Sequence, residues 1–120
     1  MGKVISIHEY VLRHGVTDEQ FIQSVKAAKE RGLFNLPGLD TYYFLRGIRG
    51  ARTGAFAAVW VYRDKEAWEE LWGPIDHPIS SEDYPPAWKI WEDEILAPLL
   101  SCDPDDIRFT SYEEIKAGAK

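Results

Sequence analysis

The sequence predicts an α+β domain built on one antiparallel sheet, with its helices on a single face. Three observations lead there. Four short runs rich in Val, Ile, Tyr, Phe and Trp are separated by two helical segments that carry start signals. Their order is β-α-β-β-α-β, the split βαβ or ferredoxin-like arrangement. Finally, 120 residues, 45% hydrophobic and 28% charged, suit one compact domain with a core that closes without staples.

The first strand is predicted from Val4 to Leu12, on its Val and Ile content, and Gly15 breaks it. Thr17 opens the first helix with a capping box, its hydroxyl accepting from the first turn while Gln20 reaches back. Phe21, Val25, Ala28 and Leu33 recur near helical spacing, and Gly32 supplies the stop. Pro37-Gly38 marks a turn into a second strand, Leu39 to Arg49. Gly50 to Gly54 reads as a hairpin connection to a third, Ala55 to Tyr62. Asp64 caps a short helix that sets Trp68 and Trp72 one turn apart. The stretch from Gly73 to Pro86 holds four prolines and reads as a long loop, a lid or a binding segment. A further helical segment carries Trp88, Trp91, Ile95 and Leu99 on one stripe and ends near Pro98. Ile107 to Tyr112 is the last strand, and the tail to Lys120 is expected to fray.

Two helices cover only one face of such a sheet. The even positions Tyr10, Tyr42, Phe44, Phe56, Trp60 and Tyr62 are large and aromatic, whereas Ile5, Ile7, Ala57, Val59 and Val61 are small and aliphatic. Small aliphatics suit close packing under helices, and polar-tipped rings suit a wet cavity or a dimer seam. On that reasoning His8, Arg46 and Trp60 point away from the helices. A second copy of the chain then covers their apolar face, so a homodimer is expected.

The chain resembles the dimeric α/β-barrel superfamily, which includes antibiotic-biosynthesis-type monooxygenases, NIPSNAP-like proteins and heme-degrading monooxygenases. The resemblance rests on the element order and on Glu9 to Gly15 running into a helix. It also rests on Pro37-Gly38 before a Tyr-rich strand, and on Val59 to Ala67, a strand passing straight into a helix. It implies two sheets packed face to face and a small-molecule cavity beside each. It further implies a cofactor-independent oxygenase or isomerase-like protein acting on an aromatic or polyketide-type compound, with His8 as base, Tyr10 as hydrogen-bond partner and Arg46 as anion clamp. Tyr42, Trp60, Tyr62, Trp72 and His77 are the candidate ligand contacts. Against these roles stands plain packing: His8 as a hydrogen-bonded interior histidine, Arg46 as an ion-pair partner, and Trp88 and Trp91 as core. Heme binding or degradation is the alternative activity, drawing on Trp68 and His77, although the first strand has no Asn of the kind heme-degrading relatives use. A non-enzymatic ligand-binding or stress-related dimer is the third reading.

Other chemistries find no foothold. Metal-ligand spacings, a GxGxxG and a P-loop are all missing, so neither a metal nor a nucleotide cofactor is expected. A net charge of −6 disfavours nucleic acid and anionic membranes. No apolar run approaches the ~20 residues that span a bilayer. The lone Cys102 sits beside Asp103, Asp105 and Asp106, an acidic setting that disfavours a thiolate, and a cytoplasmic location suits a single unpaired thiol.

Overall fold

The computed structural model describes residues 2–115. It contains β1 (Val4–Tyr10), α1 (Asp18–Glu30), β2 (Leu39–Arg46), β3 (Phe56–Tyr62), α2 (Lys65–Trp72), α3 (Pro86–Ile90) and β4 (Arg108–Glu113). The strands form one sheet in the order β2-β3-β1-β4, every pair antiparallel. This is the predicted topology. The expectation of a frayed tail falls largely outside the described residues.

Both predicted caps form. The Thr17 hydroxyl accepts from the Gln20 N–H, and the Gln20 side chain accepts from the Thr17 N–H, at 3.1 and 2.8 Å. The Asp64 carboxylate accepts from the Ala67 N–H at 2.8 Å. Element ends are shorter than predicted in two places. β1 stops at Tyr10, and Leu12 instead bridges to Leu100, while the Arg13 N–H donates to the Leu99 carbonyl at 2.7 Å. β2 stops at Arg46, because the Gly47 N–H turns to the Ala55 carbonyl at 2.8 Å and closes the hairpin.

The last helical stretch is not one α-helix. α3 passes directly into a π-helical turn, Trp91–Leu96, in which the Ala97 N–H donates to the Glu92 carbonyl at 2.9 Å. Such wide turns are uncommon and concentrate at functional sites. The proline-rich segment also holds a single 3₁₀ turn, Ser81–Asp83.

The assignment of sheet faces is overturned. Val4, Ser6 and Tyr10 of β1 and Phe56, Ala58, Trp60 and Tyr62 of β3 are buried, on the side of the helices. Phe21 of α1 stacks on Phe56 with ring centroids 4.4 Å apart, and the Trp60 ring lies 5.0 Å from Trp88 of α3. His8 joins the same side, 6.0 Å from Trp88. The physical reason is depth. α2 and α3 have only eight and five residues, and large rings are needed to fill the space beneath such short helices. The small aliphatic set makes the opposite, open face. There Ile5, Ile7, Val59 and Val61 are half-buried, and Tyr43, Leu45 and Tyr112 are 54%, 46% and 54% exposed.

Candidate functional site

Between the helix side of the sheet and the segments that follow β3 lies a cavity of about 350 Å³. That is large enough for a small organic ligand. β1 and β3 supply its floor with Ser6, His8 and Tyr62, α2 one wall with Trp68 and Trp72, and α3 and the π turn another with Trp88 and Glu92. Loop residues Pro74, Pro78 and Ile79 close a third side, and Asp105 and Phe109 border it from the chain end. The loop is held back against α2 because Gly73 adopts φ 90° and the Ile79 N–H donates to the Trp72 carbonyl at 3.0 Å. A Cβ at Gly73 would stand 2.6 Å from the His77 carbonyl oxygen, so this return requires glycine.

The cavity is aromatic on most sides. Trp72 meets Tyr84 edge-on at 5.3 Å and Trp88 at 5.4 Å. His8 sits within a cage of rings, 5.9 Å from Trp60 and 5.7 Å from Phe109. Burial there penalises the imidazolium and draws the His8 pKa down to about 4, so the ring is neutral at physiological pH. It therefore offers one N–H donor and one lone pair to whatever occupies the cavity. Glu92 is pushed the other way, up to about 7, by burial first and then by the negative charges of Asp105, Asp93 and Asp103. A carboxyl poised near neutrality is suited to taking and returning a proton. Burial also holds the Tyr62 phenol above its usual range, so it stays a neutral donor.

The predicted site residues divide sharply. His8, Tyr62 and Trp72 line the cavity. Tyr10 and Trp60 are on the same sheet face but sealed in the core, 1% and 0% exposed. Tyr42 is half-buried and packs on Phe34 and Trp60, at 5.0 and 5.6 Å, without lining the cavity. Arg46 pairs with Asp18 of α1 at 3.3 Å and covers the Phe56 ring at 5.2 Å, so the expected anion clamp is not in the cavity. His77 is exposed on the loop and outside it as well. Among the described residues His8 is the one imidazole facing the cavity, and the His77 that the heme reading calls on does not fit an axial role there. No cluster of metal-ligating side chains is present among the described residues.

Comparison with solved structures finds the same architecture repeatedly. A dimeric ferredoxin-like protein from Thermobifida fusca is 19% identical, with 94% of this chain and 92% of that one covered and a TM-score of 0.57. A DABB family protein with a ferredoxin-like fold from Mesorhizobium loti is 16% identical, with 96% and 97% covered and a TM-score of 0.59. The chain has the ferredoxin-like fold. SnoaB, a cofactor-independent oxygenase from Streptomyces nogalater, is 12% identical over 100% of both chains, with a TM-score of 0.59. No family model and no curated protein matches the chain.

Glu92 is a cavity-lining carboxyl that sequence reasoning missed in this ferredoxin-like chain. Its signal was the spacing Trp88 to Glu92, which puts the carboxyl on the same stripe as a ring facing the sheet. Its environment has a measurable signature. His8 holds a folded pKa of about 4 below its ordinary 6.5, so unfolding takes up a proton between those values and stability rises with pH there. Glu92 holds about 7 above its ordinary 4.5, so unfolding releases a proton and stability falls as pH rises through that window. The two slopes oppose each other between roughly pH 4.5 and 6.5. His8→Gln should leave the falling slope exposed, and Glu92→Gln the rising one. Urea midpoints measured from pH 4.5 to 7.5 check this, and parallel profiles for wild type and both variants would contradict it.

Proposed function

We propose that this protein is a cofactor-independent enzyme that binds an aromatic small molecule in the cavity and removes a proton from it, working as a homodimer. The observation that carries the reading is the pairing of a neutral imidazole, His8, with a near-neutral carboxyl, Glu92, inside one aromatic-lined cavity. Ionised Glu92 takes the proton from an acidified C–H of the substrate. The His8 N–H and the Tyr62 hydroxyl donate to the oxygen on which the negative charge collects. The likeness to a cofactor-independent oxygenase supports a following step in which the substrate anion reduces dioxygen. A C–O bond forms to give a peroxide anion, which takes up a proton to become the hydroperoxide; cleavage of its O–O bond with loss of the second hydrogen on that carbon releases water and leaves a carbonyl. The electrons come from the substrate and the oxidant is dioxygen itself.

The homodimer reading is supported by the open apolar face built from Ile7, Tyr43, Leu45, Val59 and Val61, and by the dimeric state named for the Thermobifida fusca protein. No helix among the described residues is long and apolar enough to cross a membrane.

The test follows solvent deuterium entering a panel of aromatic compounds that bear an acidified benzylic C–H, by NMR and without oxygen. Wild-type exchange should rise with pH through about 7 as Glu92 ionises. Glu92→Gln should slow it by about 10²–10⁴-fold. His8→Ala should slow it less and leave the midpoint in place. No exchange with any compound, while ligands still bind, would favour a binding protein.

A further inference from the structure

The cavity has walls of one electrostatic character. The carboxyl groups that border it are Glu92 and Asp105, and no lysine or arginine among the described residues lines it. Neither carboxyl makes a salt bridge among the described residues. Their surroundings deepen the negative field. Asp93 flanks Glu92 on the π turn, Asp103 and Asp106 flank Asp105, and Glu82 borders a neighbouring hollow that both carboxyls share. Lys89 also borders that hollow, but it is outside the main cavity and donates to the Glu82 carbonyl at 3.1 Å. Beside the carboxyls stand the rings of Trp72, Tyr84 and Trp88, whose faces attract cations.

From this geometry we infer that the cavity selects an aromatic or otherwise apolar ligand that carries a protonated amine, with the ammonium held between Glu92, Asp105 and the Trp72–Tyr84–Trp88 cluster. The inference rests on the proposed ligand-binding cavity and adds the substrate class. It also answers a difficulty in the chemistry. Proton removal leaves a negative charge on the substrate, and no cationic side chain among the described residues lines the cavity to balance it. A ligand bearing its own ammonium supplies that balance. A net charge of −6 steers cations toward the protein as well.

Calorimetry with three matched probes tests this: 2-phenylethylamine, 2-phenylethanol and 3-phenylpropanoate. At pH 8 the amine should bind about tenfold more tightly than the alcohol, and the carboxylate most weakly. At pH 7 amine binding should release protons, because the ammonium favours ionised Glu92, while alcohol binding should release none. The titratable groups around Glu92 are His8, Tyr62 and Tyr84 in the cavity, Tyr10 in the core, and Glu82, Lys89, Asp93, Asp103 and Asp105 around it. Glu92→Gln and, separately, Asp105→Asn at the exposed rim should each narrow the ratio of amine to alcohol affinity. An alcohol that binds as tightly as the amine, or a preference unmoved in both variants, would overturn the inference and leave the cavity reading intact. Binding of none of the three probes would overturn both.

Discussion

Trp60→Ala is expected to destabilise the folded chain by about 3–5 kcal/mol, the largest loss for any single truncation in this core. Trp60 lies at the centre of the helix-side face of β3 and is fully buried. Its ring is within 5.0 to 5.9 Å of Trp88, Phe34, Phe44, Tyr42 and His8, so it touches α3, β2, β1 and the segment after α1 at once. Short helices have little freedom to close over the space left behind, and the loss therefore includes a cavity as well as lost transfer energy. Urea unfolding followed by far-ultraviolet circular dichroism measures it. Trp60→Phe should keep roughly half of that loss, because a smaller ring still meets Phe34 and Trp88. A change below about 1 kcal/mol for the alanine variant would mean that the ring cluster does not carry the core.

Val59→Glu should convert a dimer into a folded monomer. Val59 sits mid-strand on the open face, opposite Ile7 of β1 and Tyr43 of β2. In a single chain this position is half-open, so a glutamate there reaches water and the fold survives. Pressed against a second sheet, the same carboxylate would be buried without a partner, at a cost of several kcal/mol. Sedimentation at micromolar concentration should give about twice the 13.8 kDa chain mass for wild type and that mass itself for the variant. A monomeric wild type would sink the dimer proposal. A dimeric variant would place the interface elsewhere.

The contrast between these two positions shows where the sequence stops being informative. Trp60 and Val59 are neighbours in one strand, and alternation alone puts them on opposite faces. Which face meets the helices is not a property of the strand. It depends on how much space the helices leave, and that follows from α2 being short and from α3 turning into a π segment at Trp91. Read from pattern, the polar tips of His8 and Tyr62 argued for a seam between subunits. In the structure they open instead onto a cavity inside the single chain.

Local signals carried their elements without help from the rest of the chain. Thr17 with Gln20 and Asp64 with the Ala67 N–H act within one helical turn, so the residues that decide each helix start are adjacent in sequence. Strand order followed from the number and sequence of elements, because few topologies connect them without crossing. The site needed more. Trp72 was legible as a ligand contact and Trp88 only as core, and their union with His8 depends on the loop from Gly73 folding back onto α2. Glu92 is one of many acidic residues in the sequence. Burial on the π turn and the approach of Asp105 and Asp103 raise its carboxyl to about 7, and those neighbours lie in a different element. Arg46 shows the converse, a residue with suitable chemistry that the fold commits to Asp18 at the far end of the sheet. Composition, periodicity and capping act over a few residues and so determined the elements and their order. The facing of the sheet, the cavity and the charge state of its groups arise from long-range packing and desolvation, and only the tertiary structure decided them.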